Sequence, residues 1–572
     1  MPLFRKGIAK EIKMRGRIFI LSIILSAPLF TLAQESGNFS GNFQTNVNFY
    51  QKDDKIGANT EVYKNQLSSI DAWLYLNYEY KGFNFSARFD GFHNSPLFNP
   101  QSTYSKQGLG FWQVSKDINW LNITAGYFYE QFASGMLFRA YEDRNIGIDY
   151  AIQGVRVRAN PIKNLRLTGF SGQQKGNIFT SDRFGVAPQI ISGYNMEYRI
   201  PLKESMTLDL GASVINRVLD NNTFERVKSE ILSYPDSQRF NAFYNVFGFN
   251  GYGTFSWKGL SLYGEYNYKT QEPIANEDGS KLFSAPGNII FTSASYSKGR
   301  FGKKKQMSFG VNAQYKKIEN FSMRTSPFET LLNGQISYLP SITRQNAYRL
   351  LARYNAVTQQ LGEQAYQADF IFTPKRGTSI LLNVSHVESL AANGLNGKPE
   401  KLFEEIYIEL QHKFKVSASG RQWMFKGGIQ SIFYNQNRYE VKPGYPNVHA
   451  LTPFGELTWK YTRTKSLRLE CQYLDTKQDL GSFVNAILEW NLSSKWSFAA
   501  GDMVNVKPHR QPGSSVSNEI IHYYTAFAAY TMGATQFTLA YIKQVEGVNC
   551  TGGICRVEPA FSGVRFTLVT SF

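Results

Sequence analysis

The chain has no apolar run of the roughly 20 residues that a transmembrane helix needs, apart from a shorter one inside its first 33 residues. Long stretches of helical periodicity, expected of a soluble protein with 572 residues, are missing as well. Histidine is scarce: the six are His93, His386, His412, His449, His509 and His522, and none sits in a His-Glu-x-x-His or Gly-x-Ser-x-Gly setting. These absences leave little basis for an enzyme, a metal centre or a bound cofactor, and none of the three is expected.

What is present is aromatic and alternating. Phe, Tyr and Trp make up 15% of the chain, and the mean hydropathy is nevertheless negative. In Phe83–Asp90, Phe83, Phe85, Ala87 and Phe89 oppose Asn84, Ser86, Arg88 and Asp90. In 467–473, Leu467, Leu469, Cys471 and Tyr473 oppose Arg468, Glu470 and Gln472. Period two puts such sets on opposite faces of a sheet. One face suits lipid and the other water, as in a transmembrane β-barrel. Segments of this kind begin near 38, 68, 83, 108, 121, 150, 164, 190, 206, 250, 260, 288, 306, 364, 378, 403, 422, 451, 466, 482, 495, 522, 535 and 561. Short connections such as Lys81-Gly82 and Gly259 alternate with long ones such as 215–249 and 318–363. That alternation matches short periplasmic turns and long extracellular loops.

The expectation is an all-β fold, a large antiparallel transmembrane barrel of about 24 strands (range 22–26). The 318–363 stretch is where a further hairpin could hide. An open sheet edge is not tolerated in lipid, so the first strand must pair with the last.

The first 33 residues set the compartment. Arg5, Lys6, Lys10, Lys13, Arg15 and Arg17 precede an apolar run from Ile18 to Phe30, and Thr31-Leu32-Ala33 follows. That is the layout of a cleaved secretory signal, leaving 34–572 as the barrel. Met14 is an alternative start, since Arg15 and Arg17 remain behind it. The leader carries six basic residues and Glu11, so the formal charge of +18 falls by 5 to +13 in the mature chain. The basic residues are scattered along the sequence and match no nucleic-acid motif, so no nucleic-acid partner is expected. The expected location is the cell outer membrane, with its lipid and its assembly machinery as partners. Strand one starts within about ten residues of the cleavage point, which leaves no room for a separate N-terminal plug. TonB-dependent transporters resemble this chain in strand number but begin with one.

Val564, Phe566 and Leu568 lie in phase with the terminal Phe572. That final strand resembles the signal recognised by outer-membrane assembly machinery. Cys550 and Cys555 flank Gly552-Gly553, and a disulfide between them fits an oxidising compartment. Cys471 lies on an apolar face, as a small hydrophobe.

The segment Gly126–Val157 is the densest in chemistry. Arg139, Glu142, Asp143, Arg144 and Asp149 are interleaved with Phe132, Met136, Leu137 and Phe138, and Arg156 and Arg158 follow on the next strand. Such a segment can fold inward and constrict the lumen, or form an ordered surface loop held by salt bridges. Thr343–Gln364 reads as a packed loop or plug element.

The segment 126–157, the tail Gly547–Gly563 with its two Cys and Pro559, and the stretch from Leu339-Pro340 to Gly362-Glu363 together resemble an uncharacterised family of Bacteroidota outer-membrane barrels, a domain of unknown function spanning the mature chain. The resemblance implies the fold and no activity. Asn346 departs from the His expected there, which argues against a metal role at that position. The functional expectation is a channel or transporter for small polar solutes. The alternative is a structural or accessory barrel of a surface-assembly or secretion complex, with a protein partner at its long loops. A surface hydrolase is the least favoured reading.

Overall fold

A computed structural model describes residues 37–99, 102–176, 182–330, 332–417, 420–509, 519–551 and 554–572. The proposed leader lies outside the described residues.

Alternating side chains produce one closed antiparallel sheet of 24 strands. It begins with Asn38–Tyr50 and ends with Phe561–Ser571. These two strands pair from Asn42↔Ser571 to Tyr50↔Gly563, which removes the edge that lipid would penalise. Each other strand pairs with its barrel neighbours in sequence order. The outward face carries the apolar phase: Phe85, Trp112, Leu210, Trp423, Leu469 and Leu488 are all exposed there. The largest displacement of a strand start is at Leu282, six residues before the expected 288, because the hairpin with Leu260–Ala275 continues beyond the apolar stretch.

The short-turn end is the periplasmic end of an outer-membrane barrel. Several of its turns need backbone with positive φ, and two of them are two-residue hairpins with positive φ at both residues. Lys81 and Gly82 stand at φ 46° and 75°, and Lys258 and Gly259 at 47° and 102°, the two-residue hairpin geometry that follows strand twist. At the other end lie long connections. One holds the helix Asn221–Leu232, capped by Asp220, whose side chain accepts from the Thr223 amide. Its Val227 and Ile231 pack with Tyr234 and Leu282.

Among its described residues, the stretch 320–361 holds no further strand pair of the barrel. It turns inward instead, together with 129–150. The two largest apolar cores therefore lie inside the lumen, in its extracellular half.

The seam is closed at the terminus as well. The Phe572 amide donates to Gly41 O at 3.0 Å, the Gly41 amide donates to Phe572 O at 2.8 Å, and the Phe572 ring lies 6.2 Å from that of Phe39. A Cβ on Gly41 would meet the Phe572 ring at 2.7 Å and Tyr75 O at 2.8 Å, so only glycine fits. Phe566 and Leu568 stand opposite Val47 and Thr45 in the seam. The hairpin Gly547–Thr551/Ile554–Glu558 sets Cys550 directly opposite Cys555 in register. The side chains of this cysteine pair, and with them the expected disulfide, lie outside the described residues. Cys471 is an exposed free thiol.

Candidate functional site

Two inward segments build the candidate site, and apolar residues anchor both. Phe132, Met136, Leu137 and Phe138 of the first are at most 2% exposed. They pack against lumen-facing Phe170, Ile215, Val246, Ile289 and Ile318 of the wall and against Phe321, Met323, Ile336 and Leu339 of the second segment. Farther along, Leu350, Tyr354 and Ala356 pack against Phe403, Tyr434, Phe483 and Tyr523 on the facing wall. Between them the segments reach walls on both sides of the barrel. Burial of this kind contributes roughly 1.5–3 kcal/mol per large apolar side chain.

Charge fixes the register of the first segment. Asp149 is 2% exposed. Its carboxylate accepts from Arg88 Nη2 at 2.7 Å, Lys175 Nζ at 2.8 Å and the Tyr129 hydroxyl at 3.0 Å. Arg88 also donates from Nε to Asp90 at 2.6 Å and from Nη1 to Glu142 at 2.6 Å. Burial alone raises the Asp149 pKa, but Lys175 and Arg88 outweigh it and hold the carboxyl well below the usual carboxylate range. Glu142 also accepts from Arg144 Nε at 3.0 Å. Arg144 in turn reaches Gln44 at 3.3 Å and lies over the Trp73 ring. Charges of both signs therefore offset one another inside the cluster, and the two wall cations, Arg88 and Lys175, each face carboxylates on both wall and plug.

The other expected residues are placed more locally. Arg139 stacks on Tyr141 and Tyr338, with its guanidinium 4.5 and 4.0 Å from the ring centroids, and so ties the two segments together. Asp143 accepts from the Asn145 amide at 3.0 Å and shapes a turn. Arg156 donates to Thr124 Oγ1 at 3.0 Å and to Tyr129 O at 3.1 Å. Arg158 donates to Glu130 at 2.9 Å. Arg156 and Arg158 thus brace the root of the segment and stand apart from the Asp149 cluster.

The second segment has a latch that the sequence did not reveal. Arg353 Nη2 and the Tyr354 hydroxyl donate to Asp479 Oδ2 at 2.8 and 3.1 Å. Burial pushes the Asp479 carboxyl up, but Arg353 and Lys442 prevail and hold it below the usual range. Wall side chains also satisfy the segment's backbone. Gln472 accepts from the Leu350 amide at 2.7 Å, Gln430 donates to Leu351 O at 3.2 Å, and Lys316 donates to Pro340 O at 2.6 Å. Asn346 donates to Glu405 at 3.1 Å, a structural contact.

Below the plug, towards the periplasm, the lumen is lined by exposed and half-buried charges of both signs. Arg166 and Arg199 have side chains 63% and 64% exposed, facing Glu197 and Asp209. On the opposite wall Arg468 Nε meets Glu456 at 3.2 Å and its Nη1 meets Glu489 at 2.8 Å, and Tyr348 of the plug donates to Glu456 at 2.8 Å. The geometry is a polar vestibule ending on a packed, ion-latched plug. Among the described residues no cluster of three or more His, Cys, Asp or Glu is arranged to hold a metal ion.

Residues 14–572 match the family described as Family of unknown function (DUF6029), and the chain belongs to it. No curated protein matches the chain. Among solved structures, the siderophore receptor PirA from Pseudomonas aeruginosa is similar at 9% identity, covering 94% of this chain and 80% of that one, with a TM-score of 0.42. The P pilus usher PapC translocation pore is similar at 9% identity, with 93% and 99% covered and a TM-score of 0.42. OccK5 (OpdH) from Pseudomonas aeruginosa is similar at 12% identity, with 70% and 92% covered and a TM-score of 0.36.

Proposed function

We infer that this outer-membrane barrel is a channel or transporter for small polar solutes, closed in the described state by its own segments 129–150 and 320–361. The observation that carries the reading is the lumen itself. Solvent-exposed charged side chains line the lumen below a plug that is held to the wall by side-chain contacts and not by continuation of the sheet. A segment held by ion pairs and apolar packing can leave its place without breaking a strand pairing. The vestibule's mixed signs favour polar solutes over strongly charged ones of either sign. The role is a conduit without catalysis and without a resident cofactor.

The test is reconstitution. Full-length protein in planar bilayers should be closed or flicker, and deletion of 131–148 should give stepwise conductance. A folded deletion variant that passes no current would overturn the reading. The second reading, an accessory barrel of a surface-assembly complex, draws on the extracellular loop 219–244, where Leu232 at the end of the helix and Phe243 beyond it are 55% and 50% exposed. Recovery of a defined partner that is lost on Phe243→Ser would favour it.

A further inference from the structure

The basic residues that look scattered in sequence are gathered by the fold. Four periplasmic turns, 298–305, 375–377, 413–421 and 460–465, hold thirteen Lys and Arg and no Asp or Glu. They join eight strands that are neighbours in the sheet, from Leu282–Phe301 to Ser466–Leu474. The turns therefore form one continuous arc over a third of the 24-strand rim. The other seven periplasmic turns carry six Lys between them, offset by Asp117 and Glu204. The arc's thirteen charges equal the whole net charge of the mature chain, +18 less the leader's 5, so the rest of the mature chain sums to zero.

Among the described residues none of the thirteen enters an ion pair. Lys298, Arg300, Lys303, Lys304 and Lys305 are all exposed. Adjacent strands lie about 4.8 Å apart. Neighbouring hairpin turns are then about 10 Å apart, close to the Debye length of about 8 Å at physiological ionic strength. Salt weakens the field of each turn at its neighbour without abolishing it, and a ligand that spans two or more turns meets their charges together. Such a concentration of unpaired charge calls for an external counter-charge.

Inner-leaflet lipid phosphates are one source, but lipid surrounds a barrel evenly and this arc is one-sided. The arc also presents an apolar element. Val416, 59% exposed, lies in the 413–421 turn between Lys415 and Arg421. An apolar contact rimmed by charge is the anatomy of a protein–protein patch. We propose that this arc is a docking site for an acidic polypeptide surface in the periplasm, a partner protein or domain approaching the barrel from below. The site is independent of the conduit reading, since it lies on turns outside the lumen.

The test uses the full-length barrel in nanodiscs of zwitterionic lipid and a fluorescein-labelled Glu-rich peptide as the probe. One variant combines Lys303→Gln, Lys304→Gln, Lys305→Gln and Arg463→Gln. A second removes the same number of charges from the sparse arc, with Lys81→Gln, Lys163→Gln, Lys203→Gln and Lys258→Gln. Loss of four exposed ion pairs should weaken binding about tenfold for the first variant. The second should change it less than about twofold. Heat-modifiable migration on gels confirms that both variants are folded barrels. Equal weakening by both variants would overturn the proposal, because the charge would then act diffusely. So would loss of peptide binding in phosphatidylglycerol-rich discs, because leaflet phosphates would then occupy the arc.

Discussion

Asp149→Asn removes one charge from the plug and almost no volume. In the native protein the carboxylate balances Arg88 and Lys175, both buried in the wall. After the change Arg88 retains Asp90 and Glu142, and Lys175 is left with Asp90 at 3.6 Å. Removing one partner of a buried pair costs about 3–5 kcal/mol. The apolar anchor made by Phe132, Met136, Leu137 and Phe138 contributes roughly 6–12 kcal/mol and is untouched. The anchor is the larger effect, so most molecules should keep segment 129–150 in the lumen. The undocked population should nevertheless rise by roughly a hundredfold to a few thousandfold, since each 1.4 kcal/mol is a factor of about ten. Bilayer recordings should show brief, frequent openings where the native protein is closed. Hydrogen exchange of the 129–150 amides should accelerate, while exchange in the strands stays unchanged. If Asp149→Asn behaves as native in both measurements while deletion of 131–148 conducts, the ion cluster is not what holds the plug and the reasoning fails.

Asp479→Asn should loosen the second segment by the same logic, with faster exchange around Arg353 and Tyr354 and little change at 129–150. Acid should act on both latches: Asp149 and Asp479 have folded-state pKa values below their unfolded ones. Their contribution is complete above the ordinary carboxylate pKa of about 3.9 and is lost as pH falls below it. Channel openings should therefore increase on acidification below about pH 4 and not between pH 6 and 8, and Asp149→Asn should flatten that response; an unchanged acid response in this variant would count against the assignment. Gly41→Val should prevent closure of the seam, seen as loss of heat-modifiable migration, because its Cβ falls 2.7 Å from the Phe572 ring. Under non-reducing denaturing conditions a maleimide should label Cys471 alone. Labelling of Cys550 and Cys555 would show that the hairpin pair is not a disulfide.

The barrel was legible because its signal is local. Alternation within one strand, as in Phe83–Asp90, reports which face meets lipid without reference to any other strand. The plug's existence was half legible: Phe132, Met136, Leu137 and Phe138 are too apolar for a free loop, and the charges around them have signs that can pair. What they pair with was not, because lumen contacts join residues far apart in sequence. Arg88 and Asp149 are 61 positions apart, and Arg353 and Asp479 are 126 apart. Lys175 ends a strand whose alternation is broken by a bulge after Gln173, so its inward aim was hidden by the register shift. The basic arc was missed for a related reason. Turns that are adjacent around the rim are separated by whole hairpins in sequence, and scattered lysines became one surface only when the strands were set side by side.

The seam has a consequence for the order of assembly. Its side-chain bonds, Arg565 to Asn48 at 2.8 Å and Thr567 to Asn46 at 3.0 Å, join residues 517 and 521 positions apart. Such contacts form late, since the ordering of the whole intervening chain precedes them. Both plug segments lie between those ends, so the wall must zip shut around them. A sheet that closed with 129–150 outside would enclose Arg88 and Lys175 without Asp149 or Glu142. Those stranded cations would make the misassembled barrel the less stable product. The latch thus doubles as a check on assembly: only a sheet that has already taken in its own stopper closes at the lower free energy.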